Sequence, residues 1–162
     1  MTPTHPDILA ALTAGIQSEV ASYVFYLEAA KRGVPEDVKG ILEDLAYEEK
    51  DHFHILERQF DSLVRSEKWI STADILKQEG LPEIEESMQA KHQDLIGEID
   101  KDDSITNILA IALRLEEQAR DLFAGAIDRC DSDEGKEMFR RLSKFEQGHV
   151  EKIKKMQVKY AV

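Results

Sequence analysis

Cysteine is almost missing from this chain: Cys130 is the only one. That excludes an internal disulfide and any cysteine-based zinc or iron–sulfur site, and Cys130 reads as a small structural residue where a helix ends. Glycine and proline are also scarce, at 8 and 4, too few to supply the turns of a many-stranded sheet protein. No uninterrupted apolar run approaches the roughly 20 residues of a membrane span. Positive charge is outnumbered, and a net charge of -12 argues against nucleic acid, whose phosphates need a basic face. The opening residues, Met1-Thr-Pro-Thr-His-Pro, lack the basic and apolar segments of a secretion signal. The expectation is a soluble, cytoplasmic protein with neither a nucleic acid nor a membrane as partner.

What is present is helical periodicity. At 162 residues, with 42% apolar and 33% charged, the chain suits one domain built of amphipathic helices. Four long helices are expected, at about 6–32, 35–68, 104–130 and 133–160. Thr4 or His5 precedes the first, with Gly33 as its stop; Pro35 opens the second, and Asp103 or Ser104 caps the third. Asp131-Ser-Asp-Glu134 reads as a capping signal for the fourth. The short connections at 33–34 and 131–132 force two antiparallel hairpins. Between them, residues 69–103 are too long for a plain loop. Thr72–Gln78 and Pro82–Ile99 look helical, separated at Gly80-Leu81-Pro82. Two hairpins joined by a long crossover make a single all-α, ferritin-like four-helix bundle over 1–162.

Two segments carry Glu-x-x-His: Glu49-Lys-Asp-His52 and Glu146-Gln-Gly-His149. A spacing of three puts both side chains on one face of a helix, about 60° apart. One such pair arises easily by chance in a chain with 33 acids. The register is more telling. Glu19 precedes Glu49 by 30 residues, Glu116 precedes Glu146 by 30, and the whole set repeats at an offset of 97. Leu12/Leu109, Ala29/Ala126 and Leu45/Leu142 also match, but most other positions differ. Solvated surface acids have no reason to keep such a double register.

These acids share helix faces with apolar residues: Glu19 with Leu12, Ile16, Tyr23 and Tyr26; Glu49 with Leu42, Leu45 and Leu56; Glu116 with Leu109, Leu113 and Phe123; Glu146 with Leu142 and Ile153. Four carboxylates aimed into one apolar core repel and desolvate each other unless neutralised. Two divalent cations balance four glutamates, with two imidazoles completing the donor set. Glu19, Glu49, His52, Glu116, Glu146 and His149 are therefore the expected ligands. Oxygen-rich donors with two nitrogens suit two iron ions or manganese, with zinc as another occupant. Glu48 and Glu117, one residue away from ligands and about 100° round the helix, are left out of the site. His54, about 200° from His52, is expected at the surface. Trp69 reads as a packing anchor for the crossover. His5 and His92 have no partner pattern.

These residues resemble the rubrerythrin branch of the ferritin-like superfamily, over 6–33, 35–67 and 104–160. Glu19-x-x-x-x-x-Phe25-Tyr26 is similar to that family's first-helix motif, and the Glu-x-x-His pairs match its second and fourth helices. The resemblance implies that Glu49 and Glu146 bridge the metals, that Glu19 and Glu116 are terminal carboxylates, and that His52 and His149 bind one metal each. Tyr26 would lie close to the site. Two departures stand out. Rubrerythrins carry a cysteine-ligated rubredoxin domain, for which this chain lacks the cysteines, so electrons are expected from a separate donor protein. They also carry a further third-helix glutamate, where this chain has Ala119. The implied activity is a dinuclear-iron oxidoreductase reducing hydrogen peroxide or dioxygen, in oxidative-stress defence and as a homodimer. Two alternatives are a ferroxidase linked to iron storage or handling, and a non-enzymatic metal-binding module.

Overall fold

A computed structural model describes residues 6–161. Among them are seven helices and no strand: α1 (Pro6–Ala30), α2 (Glu36–Ser66), α3 (Thr72–Leu76), α4 (Glu86–Ala90), α5 (Gln93–Lys101), α6 (Ile105–Ile127) and α7 (Asp133–Lys159). The proposed cap of the first helix, Thr4 or His5, lies outside the described residues. At the other helix starts the chemistry is visible. Ser104 Oγ accepts from the Asn107 N–H at 3.2 Å, and Ser132 Oγ accepts from the Gly135 N–H at 3.0 Å. Each satisfies a donor that the first helical turn would otherwise leave open.

Helix ends depart from the expectations in small ways. α1 stops at Ala30, and Lys31 and Arg32 close a tighter turn onto the carbonyls of Glu28 and Ala29. Gly33 takes no left-handed conformation; among the described glycines only Gly80 does, at φ 69. α2 instead ends on a left-handed glutamate, Glu67 (φ 55), whose N–H reaches the Leu63 carbonyl. The crossover is more broken than its periodicity suggests. The helix expected from Pro82 begins at Glu86 and is interrupted after Ala90, giving α4 and α5.

α1, α2, α6 and α7 form the bundle. α1 packs along α2 and against α6, and α7 packs along α6. α2 and α7 approach closely at few points, so that seam is the open one. Two separate apolar lobes make up most of the core. One gathers Phe25, Leu42, Leu45, Ile108 and Ile153; the other gathers Leu12, Leu56, Phe123, Phe139 and Leu142. Trp69 closes the second lobe from the crossover, edge-on to Phe139 at 6.3 Å and seated on Gly135. A Cβ at that glycine would lie 2.5 Å from the indole.

Two expectations change here. His54 is buried, because the crossover lies over that face of α2: its Nε2 is 2.9 Å from the Pro82 carbonyl, beside a Lys50–Glu83 ion pair. And α1, although its apolar residues are interrupted by Ala, Gly, Ser and Thr, is long and apolar enough to cross a membrane by length and composition. Half of that stretch is buried inside the bundle, as expected for a helix whose apolar faces meet both α2 and α6.

Candidate metal centre

Between the two lobes lies a layer of charge. Glu19 (α1), Glu49 and His52 (α2), Glu116 (α6), Glu146 and His149 (α7) are all buried, none more than 4% exposed. Helical spacing puts them there: each follows the apolar stripe of its own helix into the bundle axis.

The six side chains fall into two groups. Ligand atoms of Glu19, Glu49, His52 and Glu146 lie within 4.8 Å of one another, and so do those of Glu49, Glu116, Glu146 and His149. Glu49 and Glu146 belong to both groups. The His52 Nδ1 stands 3.0 Å from Glu146 Oε1, 3.6 Å from Glu19 Oε2 and 3.8 Å from Glu49 Oε2. The His149 Nδ1 stands 2.8 Å from Glu49 Oε1, 3.2 Å from Glu146 Oε2 and 3.3 Å from Glu116 Oε2. The two imidazoles are near-parallel, with ring centres 6.0 Å apart. Sequence spacing named all six, and the fold brings all six together.

Electrostatics alone makes this layer costly. Burial opposes charge on His52, yet its hydrogen bond to Glu146 and the Coulomb attraction of Glu49 and Glu146 push its pKa up to about 10. Burial likewise opposes charge on His149, and the surrounding carboxylates of Glu116, Glu146, Glu48 and Glu49 overcome it more strongly still. Burial and the charges of Glu49 and Glu146 push Glu116 well above the ordinary carboxylate range. Glu146 goes the other way: burial works against its charge, but close polar contact with Glu116 and His149 and the hydrogen bond from His52 hold it below that range. Among protein groups alone, protons must supply the compensating charge.

Those protons do not satisfy the layer. Both oxygens of Glu19, both of Glu49 and Oε2 of Glu146 are buried without a hydrogen-bond partner. Glu49 Oε1 is close to His149 but out of line for a hydrogen bond. Five such oxygens in one layer are a large desolvation cost, which metal coordination removes. The donor set, carboxylate oxygens with one imidazole nitrogen in each group, is compatible with a dinuclear metal site of iron type. A sequence model of the rubrerythrin family matches residues 10–157. The chain belongs to that family. No curated protein and no solved structure matches it. Membership of the rubrerythrin family places this bundle in the ferritin-like superfamily, in keeping with the two hairpins and their crossover. With a single cysteine, the chain contains no rubredoxin-type iron site of its own.

Two neighbours of the six complete the picture. Tyr26 is fully buried and donates its hydroxyl to Glu116 Oε1. Glu48, left out of the site on its angular offset, accepts a 2.5 Å hydrogen bond from His149 Nε2. Glu48 belongs to neither ligand group; it turns away from the Glu49 direction into the seam with α7, where the far edge of His149 emerges. The general need of a ligating imidazole for an acceptor on its second nitrogen was the available signal. Ala119 is buried among the apolar residues of the second lobe.

The seam gives access. A cavity of about 320 Å³ opens between α2, α3 and α7, lined by Glu48, His52, Leu76, Met138 and Phe145 among others. Phe145 is 58% exposed, and its ring stands edge-on to His52 at 5.3 Å.

Proposed function

We propose that this protein is a dinuclear-iron oxidoreductase of rubrerythrin type, which reduces hydrogen peroxide or dioxygen with electrons from a separate donor protein. The observation that carries the reading is the buried layer of four glutamates and two histidines in two groups sharing Glu49 and Glu146. Glu49 and Glu146, common to both groups, would be shared between the two ions. Glu19 with His52, and Glu116 with His149, would each complete one metal.

Two bound iron ions would supply the two electrons that reductive cleavage of an O–O bond requires. The rest is the work of the chain. The four carboxylates would hold two divalent cations at near charge balance between the two apolar lobes. Tyr26 fixes Glu116 by its hydroxyl and keeps that carboxylate from rotating. The cavity beside His52, lined by Leu76, Met138 and Phe145 together with Glu48, Asp51 and Arg141, would admit a small oxidant. Reduction of one peroxide consumes two electrons and two protons and yields two waters. The electrons must be returned to the metals from outside, since the chain lacks the cysteines for an electron-carrying rubredoxin site.

Anaerobic loading with two equivalents of Fe(II), followed by stopped-flow mixing with peroxide and separately with dioxygen, tests the proposal. Oxidation faster than that of free Fe(II), with peroxide outpacing dioxygen, is the expected result. Oxidation no faster than free Fe(II) by either oxidant overturns it.

A further inference from the structure

The ligands repeat at an offset of 97 residues, but what supports them does not. Under that offset Glu48 corresponds to Phe145, and Tyr26 corresponds to Phe123. Glu48 and Tyr26 both serve one half of the layer: Glu48 accepts from the Nε2 of His149, and Tyr26 donates to Glu116. Their counterparts serve the other half and can do neither. Phe145 lies with its ring edge against His52 and offers no acceptor. Phe123 is wholly buried against the α1 backbone at Gly15, one turn before Glu19, and offers no donor. Accordingly both oxygens of Glu19 lack a hydrogen-bond partner, and the one hydrogen bond found for the His52 ring is from Nδ1 to another member of the layer, Glu146.

We propose that the two cation positions are inequivalent by construction: Glu48 and Tyr26 are positioning residues that make the Glu116–His149 position the tighter, first-filled one, and the Glu19–His52 position the weaker, exchangeable one. This rests on the reading of the layer as a dinuclear metal centre. The physical basis is preorganisation. An imidazole whose second nitrogen is bound to a carboxylate has its tautomer and ring orientation set before the cation arrives, and its ligating nitrogen is made more basic. A carboxylate held by a tyrosine hydroxyl has one fewer rotamer to lose. At the Glu19–His52 position both costs fall due on binding. Access does not separate the two positions, since His52 borders one seam cavity and His149 borders another; the difference lies in the partners behind the ligands.

Glu48 is 42% exposed on its side chain, with Lys152 3.8 Å away, and Phe145 is more exposed still, so both can be changed without opening the core. The test is a titration of the metal-free full chain with Co(II) under anaerobic conditions, followed by calorimetry and by visible absorption. Glu48→Ala and Tyr26→Phe each weaken the first binding step by roughly tenfold or more and leave the second within about threefold, the scale typical for partners behind a ligand. Phe145→Glu, which restores the carboxylate that the repeat lacks, tightens the second step instead, while Phe145→Gln does so less. A merely structural role for Glu48 would weaken both steps alike and would give Phe145→Glu no gain. Equal weakening of both steps, or no change in the first, overturns the inference alone. Failure of the unsubstituted chain to take up two Co(II) overturns the dinuclear reading, and this inference with it.

Discussion

Stability as a function of pH should separate the metal-free protein from the loaded one in a definite direction. In the metal-free chain His52 and His149 carry raised pKa values, His52 at about 10, against about 6.5 in an unfolded chain. A raised native pKa means that the native state holds protons the unfolded state has given up. The stabilisation from those protons is complete below pH 6.5 and is lost as pH climbs towards 10. Between pH 7 and 8 two imidazolium protons, set against imidazoles that are mostly deprotonated in the unfolded chain, imply a loss of about 2 kcal/mol. For a chain of this size that is a fall in Tm of roughly 4–8 °C. Glu116, also raised, adds in the same sense from the carboxylate range upward; Glu146, which is lowered, acts only on acidification. In the loaded protein the ligands are already deprotonated, so its Tm should stay flat over the same interval. Scanning calorimetry of chelator-stripped protein and of protein with excess Mn(II), at pH 7.0, 7.5 and 8.0, makes the comparison. A metal-free Tm that does not fall from pH 7 to 8, or a gap between the two curves that narrows, refutes the charge assignment of the layer.

Three further outcomes are expected. Glu49→Ala, which removes a shared carboxylate, should reduce binding below one tightly held metal per chain by elemental analysis after gel filtration, whereas Glu19→Ala should leave close to one; identical stoichiometries for the two variants would contradict the shared role. Gly135→Ala puts a Cβ 2.5 Å from the Trp69 ring; overpacking of about 1–3 kcal/mol outweighs a gain in helix propensity of up to about 1 kcal/mol, so urea denaturation should show a net loss, and an unchanged midpoint would mean that the indole moves aside freely. Glu67→Gly relieves a left-handed backbone at the end of α2 and should gain about 0.5–1 kcal/mol after the added freedom of the unfolded chain is counted, measured the same way; a loss would point to a contact of the glutamate that outweighs its strain.

Much of this molecule was legible before its structure. The candidate ligand set stood out because Glu19, Glu49, His52 and their counterparts keep a register that few other positions in the two hairpins keep, and the bundle class followed from the hairpins and their crossover. What stayed hidden has a common cause. Periodicity reports where a residue lies on its own helix, not which other element covers that side. Glu48 was set aside for pointing 100° from Glu49, yet that direction is where His149 shows its far edge. His54 was placed at the surface because it faces away from the bundle axis, and the crossover covers it there. The break between α4 and α5 has no proline or glycine to announce it.

The division of the apolar core into two lobes has a consequence for how the bundle comes apart. Helices commonly fray from their tips, because the last turns have the fewest neighbours. Here the tips belong to well-packed lobes, and α7 is pinned at its end by Lys159 and Tyr160 on Asp37. The weak place is the waist, where four acids meet. Without cations the molecule should breathe in the middle, its hairpins parting around Glu49 and Glu146 while both ends stay closed, and amide exchange should be fastest at mid-helix. With cations the waist becomes a rivet through all four helices. The same ions proposed to do the chemistry would then set the mechanical unity of the fold.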